Sequence, residues 1–343
     1  MDPENQQAVD EMLITLDGTE NKSKLGANSL VSVSLAVARL AAKDQHASLY
    51  VYLNNLARNG GINALSAKMP TPIFNMINGG KHGTGNLDFQ EFQVIPSLGR
   101  SYQDALSIGV EVYQHLGLLL SQRGAIHAVG DEGGFAPNLY TNQEAFKFIA
   151  EAARSTPFTP QQDFTYGLDI AADSIVKNGK FLIKDRPHDL TKEEFITYLE
   201  ELFTEYPFSY LEDALTEDDF EGWKSLTEKF GTRAAVVGDD FLATNGARLA
   251  KAIDSKACTG ILVKPNQVGT LTETLRVIKV AKEAGLKIII SHRLGETTDT
   301  FIADLAVAVG ADYVKFGAPS RGERVAKYNR LLQIDHILTS SVR

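Results

Sequence analysis

Apolar positions in the first sixty residues recur at helical spacing. Ala8, Val9, Met12, Leu13 and Leu16 share one face before Asp17-Gly18 closes the run, which predicts a first helix. Leu30, Val33, Leu35, Val37 and Leu40 predict a second over 28–42, and a third covers 47–56 before Asn59-Gly60-Gly61 breaks it. No strand-like segment precedes these helices. The pattern changes at Pro70. Segments 72–78 and 89–95 read as strands, and 102–123 and 142–153 as long helices. Six strands then follow, at 166–170, 210–212, 234–238, 260–264, 287–291 and 313–316. Helix-length amphipathic segments follow the later ones, such as 270–284 and 298–309. Two strands, two helices and six strand–helix units, ββαα(βα)6, predict an α/β fold, a modified eight-stranded TIM-type barrel. Residues 1–61 form a helical region ahead of it, and 62–343 form the barrel.

Polar residues concentrate where these strands end. One strand ends on Asp169, the next on Glu212-Asp213, the next on Asp239-Asp240. The following strands end on Lys264, on Ser291-His292-Arg293, and on Lys315. In a parallel barrel such ends meet at the face where active sites of this fold lie. Asp169, Glu212 and Asp239 would therefore converge, and three close carboxylates repel one another unless a cation lies between them. All-oxygen ligation suits Mg²⁺ better than zinc. A single aspartate at a strand end is more often a turn former or helix cap, and Asp213 and Asp240 are candidates for that role. Six successive strands ending in charged groups are another matter, because that many buried charges without a ligand would be severely destabilising. Lys264 ends a strongly apolar strand. Close to Mg²⁺ and to Lys315, its neutral form is expected to be favoured, as a general base near neutral pH requires.

Composition narrows the partners. The net charge of −9 argues against nucleic acid or an anionic membrane, both of which recruit basic surfaces. At 343 residues with 43% apolar content, the chain can bury a barrel core and still supply a smaller domain. The lone cysteine, Cys258, cannot form an internal disulfide and begins an apolar run, where a buried inert thiol is expected. The first residues carry neither a basic nor an apolar signal segment, and the apolar stretch at 30–42 is too short to span a bilayer. A cytoplasmic protein is expected.

Longer motifs stand in order along the chain: Gly79-Gly80-Lys81-His82, Gln90-Glu91-Phe92, Gly130-Asp131-Glu132-Gly133-Gly134-Phe135-Ala136-Pro137 and Leu211-Glu212-Asp213. They continue with Gly238-Asp239-Asp240, Leu262-Val263-Lys264-Pro265-Asn266-Gln267, Ser291-His292-Arg293, Gly295-Glu296-Thr297-Thr298 and Lys315-Phe316-Gly317-Ala318-Pro319. With these motifs nearly the whole chain resembles the enolase family, and Asn21 to Asn28 looks like the helical part of that family's N-terminal domain. The resemblance implies a hydro-lyase of glycolysis that interconverts 2-phosphoglycerate and phosphoenolpyruvate with Mg²⁺. On it, Asp169, Glu212 and Asp239 are the Mg²⁺ ligands. Lys264 is the base that removes the C2 proton, and Glu132 the acid that assists loss of the C3 hydroxyl. Lys315 helps stabilise the intermediate, Arg293 clamps the phosphate, and His82, Gln90, Glu91 and His292 line the substrate pocket.

The sequence also departs from the family pattern. Enolases normally begin with a small sheet whose lid loop closes over the substrate and helps bind a second Mg²⁺, whereas this sequence begins in the helices beyond it. A site without that lid is expected to exclude water poorly. The homodimer that the resemblance implies would have a compromised interface. Leu294 stands where the family has a serine beside the phosphate-binding arginine, and Ala214 where it has a proline. His82-Gly83-Thr84-Gly85 differs from the usual His-Ala-Gly-Asn, and the chain stops at Arg343 without the usual tail. An alternative expectation is therefore a truncated or diverged enolase with weak or no catalysis, acting as a binding or structural protein. Racemisation or lactonisation is disfavoured by Glu132 and Arg293, which fit a hydroxyl leaving group and a phosphorylated substrate.

Overall fold

The computed structural model describes residues 2, 4–62, 68–83, 86–125 and 128–340. Three helices come first: α1 (Gln6–Asp17), α2 (Ala27–Asp44) and α3 (Leu49–Asn59). Asn5 caps α1 by accepting from the Ala8 amide, and Gly18 ends it at φ 67°, a left-handed turn that glycine adopts without steric cost. Among the described residues no strand precedes β1, as the pattern predicts.

The barrel strands are β1 (Thr71–Asn78), β2 (Glu91–Pro96), β3 (Phe164–Asp169), β6 (Phe208–Glu212), β7 (Ala235–Gly238), β8 (Gly260–Val263), β9 (Lys287–Ser291) and β10 (Tyr313–Lys315). A small hairpin, β4 (Val176–Lys177) and β5 (Lys180–Phe181), follows β3 and was not legible in the periodicity. Helices α4 (Tyr102–Gln122) and α5 (Asn142–Ala153) separate β2 from β3. Then α6 (Lys192–Glu205), α7 (Phe220–Phe230), α8 (Gly246–Ser255), α9 (Pro265–Val268), α10 (Leu271–Glu283), α11 (Phe301–Ala308) and α12 (Gly322–Ser340) complete the ring. The barrel is closed in the order β1-β10-β9-β8-β7-β6-β3-β2, with β2 antiparallel to both neighbours and the remaining pairs parallel. This is the predicted ββαα(βα)6 order. Thr141 and Thr191 start α5 and α6 with reciprocal capping boxes to Glu144 and Glu194.

The strands are buried on both faces. Ile73, Ile95, Tyr210, Val237, Leu262, Ile289 and Tyr313 fill the barrel interior, while the opposite faces pack beneath the helices. Cys258 is buried there too, and burial pushes its thiol up to about 12, which keeps it inert as expected. The leading helices dock on the barrel through polar contacts as well as apolar ones. Buried Asp10 accepts from the Thr272 amide (2.9 Å) and hydroxyl (2.6 Å) at the start of α10, and Lys22 pairs with Glu273 at 2.8 Å. No helix among the described residues is long and apolar enough to cross a membrane.

Candidate active site

Because β3, β6, β7, β8, β9 and β10 run in parallel, their C-terminal ends meet at one mouth, and antiparallel β2 begins there. Glu91, Asp169 and Glu212 are lateral neighbours at that mouth. Glu91 pairs with Asp169 across β2–β3, and Asp169 with Glu212 across β3–β6. Lys315, at the end of β10, reaches across the ring. Its Nζ lies 3.0 Å from Glu91 Oε1, 2.9 Å from Asp169 Oδ2 and 2.8 Å from Glu212 Oε1. All four side chains are buried.

Three carboxylates against one ammonium leave surplus negative charge in a buried site, which favours the neutral form of the carboxyls. Burial, then the charge of Glu132, raises the Glu91 carboxyl to about 8. Burial and Asp169 push Glu212 well above the carboxylate range. Tyr210 Oη donates to Glu212 Oε2 at 2.6 Å, and Gln93 Nε2 donates to Glu91 Oε2 at 2.9 Å.

Lys264 leaves β8 at the N-cap of α9, and its Nζ donates to Asp239 Oδ2 on the neighbouring strand. Burial pulls the Lys264 pKa down, but the charge of Asp239 and its hydrogen bond carry it above the ordinary value. Lys315 follows the same logic. Burial disfavours its charge, and Asp169, Glu212 and Glu91 hold it well above the usual lysine range. These directions describe the protein's own groups, whereas the neutral form expected of Lys264 is one beside Mg²⁺. Among the protein's own groups, each has a carboxylate as its nearest neighbour, and that attraction outweighs both burial and lysine–lysine repulsion. Asp213 takes the turn-forming role expected of it: at φ 42° it accepts from the amides of Asp239 (2.9 Å) and Asp240 (2.7 Å).

Glu132 occupies the other side of the mouth. Asn75 and Asn78, both on β1, donate through Nδ2 to Glu132 Oε2 at 3.1 Å each. His82 Nδ1 lies 3.2 Å from that oxygen, and His292 Nε2 lies 3.6 Å from Oε1. Burial alone would raise the Glu132 pKa, but His82, His292 and Lys315 outweigh it and hold the carboxyl well below its usual range. For His82 burial opposes the charged form, and Glu132 more than offsets it, so its pKa is raised. Among the protein's own groups Glu132 is thus a buried carboxyl ringed by donors, with Glu91 the neighbour whose carboxyl is raised. His82, Glu91 and Glu132 each bring one ligand atom within 4.8 Å of the others.

The remaining predicted residues are at the same mouth. Gln90 Nε2 donates to Asp169 Oδ2 at 3.3 Å. Arg293 is exposed beyond the end of β9, and among the described residues its guanidinium has no hydrogen-bond or ion-pair partner. Leu294, 43% exposed, stands beside it without a side-chain donor. Thr84 and Gly85, part of the altered loop after His82, lie outside the described residues. Sequence reasoning missed Asn75, Asn78, Gln93, Tyr210 and Arg324. Asparagines and a glutamine inside otherwise apolar strands were a usable signal for the first three. Arg324, on a helix whose buried face also carries Lys327, carried none.

The donor set fits a hard divalent cation. Asp239 Oδ1 is buried without a hydrogen-bond partner, and Asp213, Asp239 and Asp240 bring one oxygen each within 4.8 Å of the others. Oxygen donors of this kind suit Mg²⁺. Asp169 and Glu212 adjoin that group, engaged by Lys315. The chain matches the family model for the enolase C-terminal TIM barrel domain over residues 66–343 and that for the enolase N-terminal domain over residues 1–53. Matches to both domain models, in order and over most of the chain, make the protein a member of the enolase family.

Proposed function

We propose that the protein is a lyase, a phosphopyruvate hydratase that reversibly dehydrates 2-phospho-D-glycerate to phosphoenolpyruvate in glycolysis and gluconeogenesis. The observation that carries this reading is the division of the mouth into two sides. Lys264 lies on the β7–β8 side, and the Glu91–Glu132–His82 group lies on the β1–β2 side. A substrate carbon between them loses a proton to one side while the neighbouring carbon loses its hydroxyl toward the other, which is the arrangement β-elimination of water needs.

In this reading Lys264, freed as a base when Asp239 serves a cation instead, takes the C2 proton, and Lys315 holds positive charge where the substrate carboxylate gains electron density. Glu132 assists loss of the C3 hydroxyl, and Glu91, whose carboxyl burial raises, lies beside it in the pocket. Arg293 offers an uncommitted planar fork to the phosphate. His82, Gln90 and His292 line the pocket. Asp169, Glu212 and Asp239 would hold Mg²⁺, which when bound supplies positive charge opposite the carboxylate as the C2 proton leaves. The same proposal includes the division at residues 61 and 62, a cytoplasmic setting and a homodimer, all resting on family resemblance.

One observation favours a second reading, a family member with weak or no turnover. Leu294 leaves Arg293 without the neighbouring hydroxyl that would share the phosphate. The rise in ultraviolet absorbance as 2-phosphoglycerate becomes phosphoenolpyruvate in the presence of Mg²⁺ separates the two, with Lys264→Ala as control. No turnover from folded protein would overturn the hydratase reading and leave the second.

A further inference from the structure

Arg324 is 1% exposed, and its guanidinium is spent on the backs of two active-site loops. One donor pair serves the loop after β9: Nη1 lies 2.6 Å from His292 Nδ1 and 2.8 Å from the Arg293 carbonyl. The other nitrogen, Nη2, donates to the carbonyls of Leu294 (2.6 Å) and Asp131 (2.9 Å). Arg324 thus ties the segment bearing Glu132 to the segment bearing His292 and Arg293. Its closest carboxylate oxygen, Glu323 Oε1, is 3.9 Å from Nε and does not bond to it.

A guanidinium can only donate. His292 Nδ1 must therefore present a lone pair, because a proton there would set two N–H groups against each other at 2.6 Å. The ring's single proton is left on Nε2. That N–H faces Glu132 Oε1 at 3.6 Å, beyond hydrogen-bond length, while Asn75 and Asn78 occupy Oε2. Packing leaves little room for the ring to turn: Gly317, at φ 90°, lies so close that a Cβ there would meet Glu132 O at 2.5 Å and His292 Cε1 and Arg324 Cδ at 3.2 Å.

We infer that Arg324 is a positioning residue that locks His292 as a neutral imidazole protonated at Nε2, so that His292 serves as a hydrogen-bond donor to a substrate acceptor oxygen and as neither acid nor base. The substrate half of this inference rests on the dehydration reading, and the tautomer half does not. The charged groups facing the ring are Arg324, Glu132, Lys315 and Lys264, and burial together with the three cations keeps it neutral against Glu132.

The test is nitrogen-15 NMR of histidine-labelled full-length protein, with His292→Gln identifying the signal. The wild-type ring is expected to show a bare Nδ1 and a protonated Nε2, unchanged from about pH 8 to about pH 5.5. A proton on Nδ1, or double protonation within that range, overturns the inference. Arg324→Met is expected to mix the two tautomers and to lower kcat by about 100-fold, with KM moving less. Arg324→Lys, which keeps a donor, is expected to retain the Nε2–H pattern. A wild-type pattern in Arg324→Met also overturns the inference. Should that variant fail to fold, the wild-type and lysine spectra decide. A locked tautomer in a protein without turnover would sink the dehydration reading while leaving the role of Arg324 intact.

Discussion

Lys264 and Asp239 face each other from the ends of adjacent strands, with the lysine ammonium donating directly to Asp239 Oδ2. The proposed base and a proposed metal ligand are thus one electrostatic unit. Whatever draws on the charge of Asp239 also weakens the hold on the Lys264 proton.

We therefore predict that divalent-cation binding and turnover are linked at this pair. EDTA should abolish turnover, and Mg²⁺ at 100 times its Kd should stabilise the fold by about 2.7 kcal/mol. Asp239→Asn should lose that stabilisation. Lys264→Ala should keep it while turnover falls by about 10²–10⁴-fold. Thermal melts with and without Mg²⁺, alongside the absorbance assay, check each limb. Unchanged stabilisation in Asp239→Asn would remove that residue from the metal site.

Glu91 should give stability a specific pH dependence. Its carboxyl is raised from 4.5 to about 8, so the folded state holds a proton that the unfolded chain releases between those values. Its contribution is then fully present below about 4.5 and is lost as pH rises through about 8. In EDTA, the stability of wild type relative to Glu91→Gln should decline across that window in urea titrations. A flat difference would show that Glu91 is ionised throughout.

Gly317→Ala should damage the site from behind. The added Cβ meets the Glu132 carbonyl at 2.5 Å, and the backbone there is left-handed. We expect a stability loss of about 1–3 kcal/mol and a larger proportional loss in kcat than in KM, because Glu132, His292 and Arg324 must all move. Wild-type kinetics in this variant would mean that the three groups have slack the packing does not show.

Asp10→Ala tests how the leading helices are held. The substitution leaves the buried Gln6 side chain and the Thr272 amide without their shared acceptor, at a cost of about 1–3 kcal/mol. The single tryptophan, Trp223, is buried and stacked on Phe241, so its fluorescence follows barrel unfolding. Proteolysis within residues 1–60 before any change in that signal would show the helices releasing first. Release of both together would show a single cooperative unit.

Element order and the polar strand ends were legible in the chain because both are local. Period-two and helical patterns depend on neighbours a few residues apart, and a charged residue closing an apolar run, as at Asp169, Glu212, Asp239, Lys264 and Lys315, marks the mouth wherever it lies. The hairpin β4–β5 escaped because two-residue strands carry no period.

By itself, then, the sequence determined the barrel, its order of strands and helices, and the charged residues that close its strands. The tertiary structure alone decided which of them touch, which further residues join them, and in which direction each pKa moves. Lys315 meets Asp169 across 146 residues of chain, and Arg324 meets His292 across 32, separations that no local pattern encodes. Glu91 and Glu132 are both glutamates in strong motifs, yet one is raised to about 8 and the other held low. The difference comes from burial and from the charges packed around each carboxyl, which exist only once the ring has closed.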